Sequence, residues 1–142
     1  MRHIEGVPAK GTYCLCINVK KDQVIRVGAL GELEFTSGNY IYVGSALNSL
    51  YPRLDRHLKH SRGEHNVTHW HIDYLLKNPE VSIQVIYMYD NGAKLECIIA
   101  AKVAEHGEPK PKFGCSDCKC NSHLFKVESF DFVEKMGMKK YP

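Results

Sequence analysis

The stretch that decides the fold of this chain is Tyr40-Ile41-Tyr42-Val43-Gly44-Ser45-Ala46. Its β-branched and aromatic residues predict a strand over residues 40–43 that ends at a glycine. Apolar residues also alternate over residues 11–19, which predicts a second strand. Each strand carries a tyrosine in a short glycine-marked frame, and these frames are Gly11-Thr12-Tyr13 and Tyr42-Val43-Gly44. We therefore expect the two phenols on adjacent strands of one sheet.

A helix that carries cations is predicted directly after this stretch. Pro52 suits the first turn of a helix, which is expected to run to about Lys59. The polar residues at helical spacing are Arg53, Arg56, His57 and His60, and the opposite apolar row is Leu50, Leu54 and Leu58. The guanidinium group of arginine is planar and permanently charged, and its N–H groups can bind two phosphate oxygens at once. Strand-borne phenols beside such cations indicate phosphodiester chemistry.

The rest of the chain predicts a mixed α/β (α+β) domain, in which a small central antiparallel sheet is flanked by helices. The expected elements are a hairpin over residues 24–35, helices over 70–76 and 94–106 (the second capped by Gly107), and strands over 81–89 and 124–127. No repeat or linker interrupts the sequence, so residues 1–142 are expected to form one domain. Its core is expected at about residues 11–127, followed by a weakly determined C-terminal tail over residues 128–142.

Length, composition and charge narrow the class of protein. The chain has 142 residues, of which 44% are hydrophobic, and this is enough for one compact core. No apolar run approaches the roughly 18 residues of a membrane span, and the N-terminus lacks the apolar stretch of a signal peptide. We therefore expect a soluble, cytoplasmic protein without membrane partners. The formal net charge of +3 permits nucleic-acid binding without requiring it.

These motifs together resemble the GIY-YIG nuclease superfamily over residues 11–125. The family pattern of Gly-x-Tyr, Tyr-x-Gly, arginine, histidine and glutamate is matched by Tyr13, Tyr42, Arg53, His57 and Glu96. The interval between the tyrosine motifs is longer than a minimal hairpin requires, so the predicted hairpin is expected to be an insertion. The Tyr-to-Arg interval is also longer than usual, which leaves Arg56 as an alternative to Arg53. Gly-Thr-Tyr, Tyr-Val-Gly-Ser-Ala and His-Trp-His-Ile-Asp-Tyr-Leu are similar to a prokaryotic branch whose physiological substrate is not established.

The resemblance implies a metal-dependent endonuclease whose catalytic residues are Tyr13, Tyr42, Arg53, His57 and Glu96. Glu96 is expected to bind one Mg²⁺ or Mn²⁺, since a hard divalent cation commonly uses only one or two carboxylates beside water and phosphate oxygens. The expected substrate-binding residues are Gly44, Ser45, Arg56 and Asn121. The expected partner is a nucleic acid, DNA rather than RNA. A phenol of ordinary pKa is a poor base at neutral pH, so Arg53 is expected to lower the pKa of the tyrosines.

The segment His69-Trp70-His71-Ile72-Asp73 leaves two interpretations open. On a strand, His69, His71 and Asp73 would share one face and could bind zinc. On a helix, the same three side chains diverge. The flanking sequence favours the helix, in which Trp70 and His71 support the wall of the site. The histidines at 57, 60 and 65 are also compatible with a solvated basic face.

The cysteines are concentrated near the C-terminal end of the domain. Without an export signal, the six cysteines indicate metal ligands or reactive thiols before disulfides. Four soft side chains, Cys115, Cys118, Cys120 and His123, suit zinc in type, although their spacing is tight. The alternative is a loop that packs reduced thiols, with His123 reaching the active site.

Two other functions remain open from the sequence. One is a non-catalytic nucleic-acid-binding or zinc-stabilised module on the same fold. The other is a redox or metal-handling protein built on the cysteines. The nuclease interpretation requires that Tyr13, Tyr42, Arg53 and Glu96 converge on one pocket.

Overall fold

A computed structural model describes residues 10–46, 50–64, 67–68, 70–90, 95–114 and 121–141. The strands are β1 (Gly11–Val19), β2 (Gln23–Arg26), β3 (Glu32–Phe35), β4 (Gly38–Ala46), β5 (Val81–Asp90), β6 (Gly107–Pro109), β7 (Leu124–Val127) and β8 (Lys139–Tyr141). The helices within the described residues are α1 (Leu50–Ser61), α2 (His71–Leu76), α3 (Glu96–Ala104) and α4 (Phe132–Lys135), with one turn of 3-10 helix over Gly28–Leu30. None of these helices has the length and apolar character needed to span a membrane.

The predicted central antiparallel sheet is confirmed. Six strands lie in the order β6-β7-β4-β1-β5-β8, and every neighbouring pair is antiparallel. β2 and β3 follow β1 and precede β4 in the sequence, and they pair as a separate two-stranded hairpin. This confirms the predicted insertion. β1 lies in the interior of the sheet, and most of its residues are buried because helices cover both faces.

The two faces of the sheet bury different layers of helices. The alternation of β1 sends Tyr13 towards α1 and α2, and sends Cys14 towards α3 and α4. The α1 and α2 layer includes the aromatic side chains Tyr40 and Phe113. We place the candidate site in this layer, at the end of the sheet where β1 begins and β4 ends.

The structure differs from the sequence expectation in α1. The buried residues of this helix are Leu50, Leu54, His57 and His60. His57 and His60 are fully buried, so the interpretation of these two as a solvated basic face is wrong. His57 follows Leu50 and Leu54 by seven and three positions, which places it on the same helical face.

Two further differences concern the second half of the chain. Gly107 does not cap a helix in a left-handed conformation, because α3 already ends at Ala104 and Gly107 begins β6. A Cβ at Gly107 would lie 2.2 Å from the carbonyl oxygen of Lys126, so close strand packing explains this glycine. The C-terminal part that the sequence left weakly determined contains α4 and β8 where the structure describes it, and there Val133 is buried and β8 pairs with β5.

Candidate active site

The glycines of the two tyrosine motifs lie where an added side chain would not fit. Tyr13 lies opposite Gly44 in the β1–β4 register. A Cβ at Gly44 would come within 2.5 Å of the Tyr13 ring and its hydroxyl. Gly11 similarly leaves room for the carbonyl of Tyr89 on β5, which would lie 2.4 Å from an added Cβ. The glycines of these motifs are therefore explained by close packing: Gly44 faces the Tyr13 ring, and Gly11 faces a backbone carbonyl of β5.

The two tyrosines lie on adjacent strands and on the same face of the sheet. Tyr42 is opposite Leu15 in the β1–β4 register, and Leu15 shares its face with Tyr13. The Tyr13 hydroxyl is 2.8 Å from Nε2 of His57 on α1. The Tyr42 ring contacts the same imidazole edge-on, with ring centroids 6.4 Å apart. His57 is therefore a common neighbour of both phenols.

The two arginines of α1 share one aromatic support but have different partners. The guanidiniums of Arg53 and Arg56 lie 4.4 and 4.3 Å from the centre of the Trp70 ring. Arg56 donates two hydrogen bonds of 3.0 Å to the buried carboxylate of Asp73. Arg53 instead donates to the carbonyl oxygen of Ser45, at 3.1 Å, at the end of β4. Arg53 is thus directed to the tyrosine end of the sheet, and Arg56 is held by an ion pair.

Asp73 organises this part of the site, and its role was not predicted from the sequence. Besides Arg56, its carboxylate accepts a hydrogen bond of 2.8 Å from the backbone N–H of Trp70. Asp73 is the third residue of α2, so this bond satisfies a backbone N–H at the start of the helix. The helix that the sequence favoured here begins at His71, while Trp70 is extended and His69 lies outside the described residues. The sequence did contain a signal for this role of Asp73, because an acidic residue three positions after the start of the predicted helix is typical of a helix N-terminus.

Glu96 approaches the site from the opposite layer of the fold. It is the first residue of α3, and its side chain is 23% exposed. Its Oε2 lies 4.0 Å from Nδ1 of His123, whose side chain is 4% exposed. The Glu96 charge makes a small contribution that raises the pKa of both Tyr13 and Tyr42.

The expectation that Arg53 lowers the tyrosine pKa below its ordinary value is wrong in sign. Burial raises the pKa of Tyr13 to about 12, and this effect outweighs the charge and hydrogen bond of Arg53, which lower it. Burial likewise raises the pKa of Tyr42 well above its ordinary value, with further contributions from Tyr13 and Glu96. Both side chains are therefore neutral phenols at neutral pH, able to donate and accept hydrogen bonds.

His57 is also neutral. Burial lowers its pKa from 6.5 to about 3, and the charges of Arg53 and Arg56 act in the same direction, while Asp73 opposes them. Its Nε2 contacts the Tyr13 hydroxyl, whereas its buried Nδ1 has no hydrogen-bond partner within the described residues. If the proton is on Nδ1, Nε2 accepts from Tyr13, and the tyrosine oxygen keeps its lone pairs for another donor.

The remaining predicted residues occupy different positions around this centre. Gly44 is buried under Tyr13, and Ser45 contributes its carbonyl to Arg53. Asn121 is exposed, and its carbonyl oxygen accepts a hydrogen bond of 2.7 Å from Lys112 N–H. Cys115, Cys118 and Cys120 lie outside the described residues, and the described part of the chain contains no cluster of three or more possible metal ligands.

His71 and Phe113 form a further wall of the site. Nδ1 of His71 accepts a hydrogen bond of 2.9 Å from Gly114 N–H, and its ring packs on Phe113 at 5.7 Å between centroids. Phe113 also contacts Tyr42 edge-on, at 6.2 Å. A supporting role of His71 agrees with its position here. Phe113 was not predicted, because a single aromatic after two prolines gives no signal of where its loop folds.

The fold and this geometry define a class of protein: an α+β domain in which two strand-borne tyrosines, a buried histidine and an arginine meet at one end of an antiparallel sheet. The family model described as "Domain of unknown function DUF123" matches residues 12–140, and the chain belongs to this family. No curated protein and no solved structure matches the chain.

Proposed function

We propose that this protein is a metal-dependent nuclease of GIY-YIG type that hydrolyses phosphodiester bonds in nucleic acid. The observation that carries the proposal is the 2.8 Å contact between the Tyr13 hydroxyl and Nε2 of a neutral, buried His57, beside the Arg53 guanidinium. Such a contact holds a phenol oxygen in one orientation next to a fixed positive charge. Hydrolysis of a phosphodiester needs both an oriented water and a cation for the phosphate.

Arg53 is the proposed phosphate-binding residue. Its partners are a backbone carbonyl, an indole ring and the neutral phenol of Tyr13, and none of these neutralises its charge. Arg56 is different because its charge is already paired with the carboxylate of Asp73. Between the two arginines left open by the sequence, the ion pair therefore favours Arg53 for contact with substrate, and Arg56 for positioning Trp70 and α2.

Tyr13 is proposed to orient the attacking water. When its hydroxyl donates to His57 Nε2, its oxygen accepts a hydrogen bond from water, and a proton can pass from water through Tyr13 to the imidazole. Burial keeps His57 neutral in the free protein. A bound phosphodiester adds a negative charge beside Arg53, and a nearby negative charge favours the protonated imidazole. The relay is therefore promoted when substrate is bound.

Glu96 is proposed to hold one Mg²⁺ or Mn²⁺. Its carboxylate is partly exposed and its charge acts on both phenols. This suits a hard divalent cation, which prefers oxygen ligands and fills its other positions with water and phosphate oxygens. When bound, such a cation stabilises the negative charge that develops on the phosphate and on the leaving oxygen. In this proposal, Glu96 contributes a carboxylate oxygen as a metal ligand from the border of the site.

The proposed substrate is nucleic acid in the cytoplasm, DNA rather than RNA. The test is cleavage of labelled single-stranded, duplex and branched DNA and RNA with Mg²⁺, with Mn²⁺ and with a chelator. Metal-dependent cleavage of any member of this panel supports the proposal. Tight binding without cleavage under every condition supports instead a non-catalytic nucleic-acid-binding module on the same fold.

A further inference from the structure

Two lysines reach the inserted hairpin from the segments that follow α3. Lys110 comes directly after β6, and its Nζ donates a hydrogen bond to the carbonyl oxygen of Glu34 on β3. Lys126 lies on β7, and its Nζ donates to Oγ1 of Thr36, the residue that follows β3. Because Glu34 and Thr36 are two positions apart, both ammonium groups lie at the same end of the hairpin. We call Lys110 and Lys126 the hairpin lysines.

The packing around the hairpin lysines fixes the positions of their charges. The ammonium of Lys110 lies 5.4 Å from the centre of the Phe35 ring. Gly38 leaves room for the chain of Lys126, since an added Cβ there would lie 3.0 Å from its Cε. Both lysines are only partly exposed, so their stems are packed while their charged ends remain accessible.

The charges of the hairpin lysines are not neutralised by their partners. A backbone carbonyl and a hydroxyl are both uncharged acceptors. None of the ion pairs between described residues includes Lys110 or Lys126, although Glu108 lies opposite Lys126 in the β6–β7 register. An ammonium has three N–H donors, so each lysine retains two for an external anion. Two positive charges held at one end of a hairpin favour an anionic partner.

The hairpin lysines are joined to the proposed active site through the same face of the sheet. Lys126 is opposite Tyr40 in the β4–β7 register, and Tyr40 shares its face with Tyr42. Phe113 makes a second connection, because its ring contacts both Tyr42 and Phe35, at 6.2 and 6.3 Å between centroids. The hairpin is therefore packed against the wall of the proposed active site.

The distance from Arg53 to the hairpin lysines suits a strand of nucleic acid. Arg53 donates to the carbonyl of Ser45 near one end of β4, and Lys126 lies beside Tyr40, five positions earlier on the same strand. At ~3.3 Å per residue, this interval corresponds to roughly 17 Å along β4. One strand of duplex DNA has a phosphate about every 3.4 Å along the helix axis, so the interval spans about five nucleotides.

We propose that Lys110 and Lys126 bind backbone phosphates of the DNA, about five nucleotides from the phosphate that Arg53 binds. This inference rests on the proposed nuclease function for the position of the scissile phosphate. Contacts to backbone phosphates fix the register of a nucleic acid without reading its sequence. The inserted hairpin supplies uncharged acceptors that position the two lysines, and this leaves their charges for the substrate.

The test is the salt dependence of DNA binding, measured for the full chain with a chelator so that the duplex stays intact. The probe is a fluorescently labelled DNA duplex of about 20 base pairs, which is longer than the proposed contact surface. Each phosphate contact contributes about −0.9 to the slope of log Kobs against log salt concentration. We expect this slope to be smaller in magnitude by about 0.9 in Lys110→Gln and in Lys126→Gln, and by about 1.8 in the double variant.

Two kinds of control separate lost phosphate contacts from other effects. Lys110→Arg and Lys126→Arg keep the positive charge and should keep the wild-type slope. Lys140→Gln removes an exposed charge from β8, at the opposite edge of the sheet, and should keep it as well. Glutamine can still donate to the same acceptors, so thermal unfolding of the Gln variants should resemble that of the wild type.

Three results would overturn the proposal: a wild-type protein that does not bind the duplex, a double variant with the wild-type slope, and an equal change of slope in Lys140→Gln. The nuclease function is tested separately by cleavage with Mg²⁺ or Mn²⁺. Lysine-dependent binding without cleavage would remove the nuclease function and leave these contacts in place. Cleavage by the wild type, together with an unchanged slope in the double variant, would remove the contacts alone.

Discussion

The Tyr13 hydroxyl and Nε2 of His57 lie 2.8 Å apart, and both side chains are buried. This contact joins β1 to α1, and its two residues are 44 positions apart in the sequence. Burial keeps the imidazole neutral and raises the pKa of the phenol to about 12. The pair therefore consists of a neutral phenol and a neutral imidazole joined by one hydrogen bond. This arrangement suits the orientation of a water molecule.

Replacing Tyr13 by Phe should abolish this arrangement while keeping the ring in place. We expect cleavage to fall by roughly 10²- to 10⁴-fold, the usual contribution of acid–base assistance. Tyr40→Phe is the matched control, since Tyr40 is a buried tyrosine of β4 whose hydroxyl donates instead to the Thr36 carbonyl at 2.7 Å. Single-turnover cleavage rates compare the two variants. Equal rates in both would remove Tyr13 from the mechanism.

Gly44→Ala should disturb the same contact from the opposite side. The added Cβ lies within 2.5 Å of Tyr13, so the ring must move, and we expect a loss of about 1–3 kcal/mol in the free energy of unfolding. The loss should be smaller when the same change is made in a Tyr13→Ala background, because the obstructing ring is absent. Denaturant unfolding of the four proteins of this cycle measures the difference. An equal loss in both backgrounds would show that the glycine is needed for another reason.

The ion pair of Arg56 with Asp73 should contribute to stability rather than to turnover. Asp73→Asn leaves the largely buried Arg56 unpaired and should cost about 3–5 kcal/mol. Asp55→Asn provides a control, since Asp55 pairs with Lys59 at the surface and should cost no more than about 1 kcal/mol. Thermal and denaturant unfolding distinguish these outcomes. Similar small losses in both variants would contradict the assignment of Arg56 to a structural role.

Stability should decrease in acid because of His57. Its pKa is about 3 when folded and near 6.5 when exposed, so the unfolded chain binds more protons between these values. The stabilising contribution is complete above about pH 6.5 and is lost as the pH falls towards about 3, at up to about 1.4 kcal/mol per pH unit. His57→Gln should flatten this slope. The control His106→Gln, at an exposed residue stacked on Phe132, should retain it. A slope unchanged in His57→Gln would contradict the prediction.

The sequence predicted those parts of the fold that depend on local pattern. The pattern of apolar residues over 11–19 gave β1 with its observed bounds, and the inserted hairpin followed from turn residues between two apolar runs. The edge strand β8 was missed because it is three residues long and depends on pairing with the distant β5. Its stability arises from that pairing rather than from its own residues.

The site was predictable where a motif reports a backbone constraint. Gly44 marks the position of Tyr13 because the two are cross-strand neighbours. The helical spacing of His57 from Leu50 and Leu54 agrees with its burial, whereas its contact with Tyr13 depends on how α1 packs on the sheet. The sign of the tyrosine pKa shift was wrong for the same reason: the charge of Arg53 is visible in the sequence, but the depth of burial is a property of the packed fold.

The most direct test of the account is the metal dependence of cleavage by Glu96→Gln. This change keeps the size of the side chain and removes the charge that is proposed to hold the divalent cation. With Mg²⁺ or Mn²⁺ varied over a wide range, we expect nucleic-acid binding to persist and cleavage to fall by about 10³-fold or more, which corresponds to ~4 kcal/mol of transition-state stabilisation. Glu105→Gln, at an exposed residue that follows α3, should cleave like the wild type. A Glu96→Gln protein that cleaves at the wild-type rate with the same metal dependence would contradict the central claim.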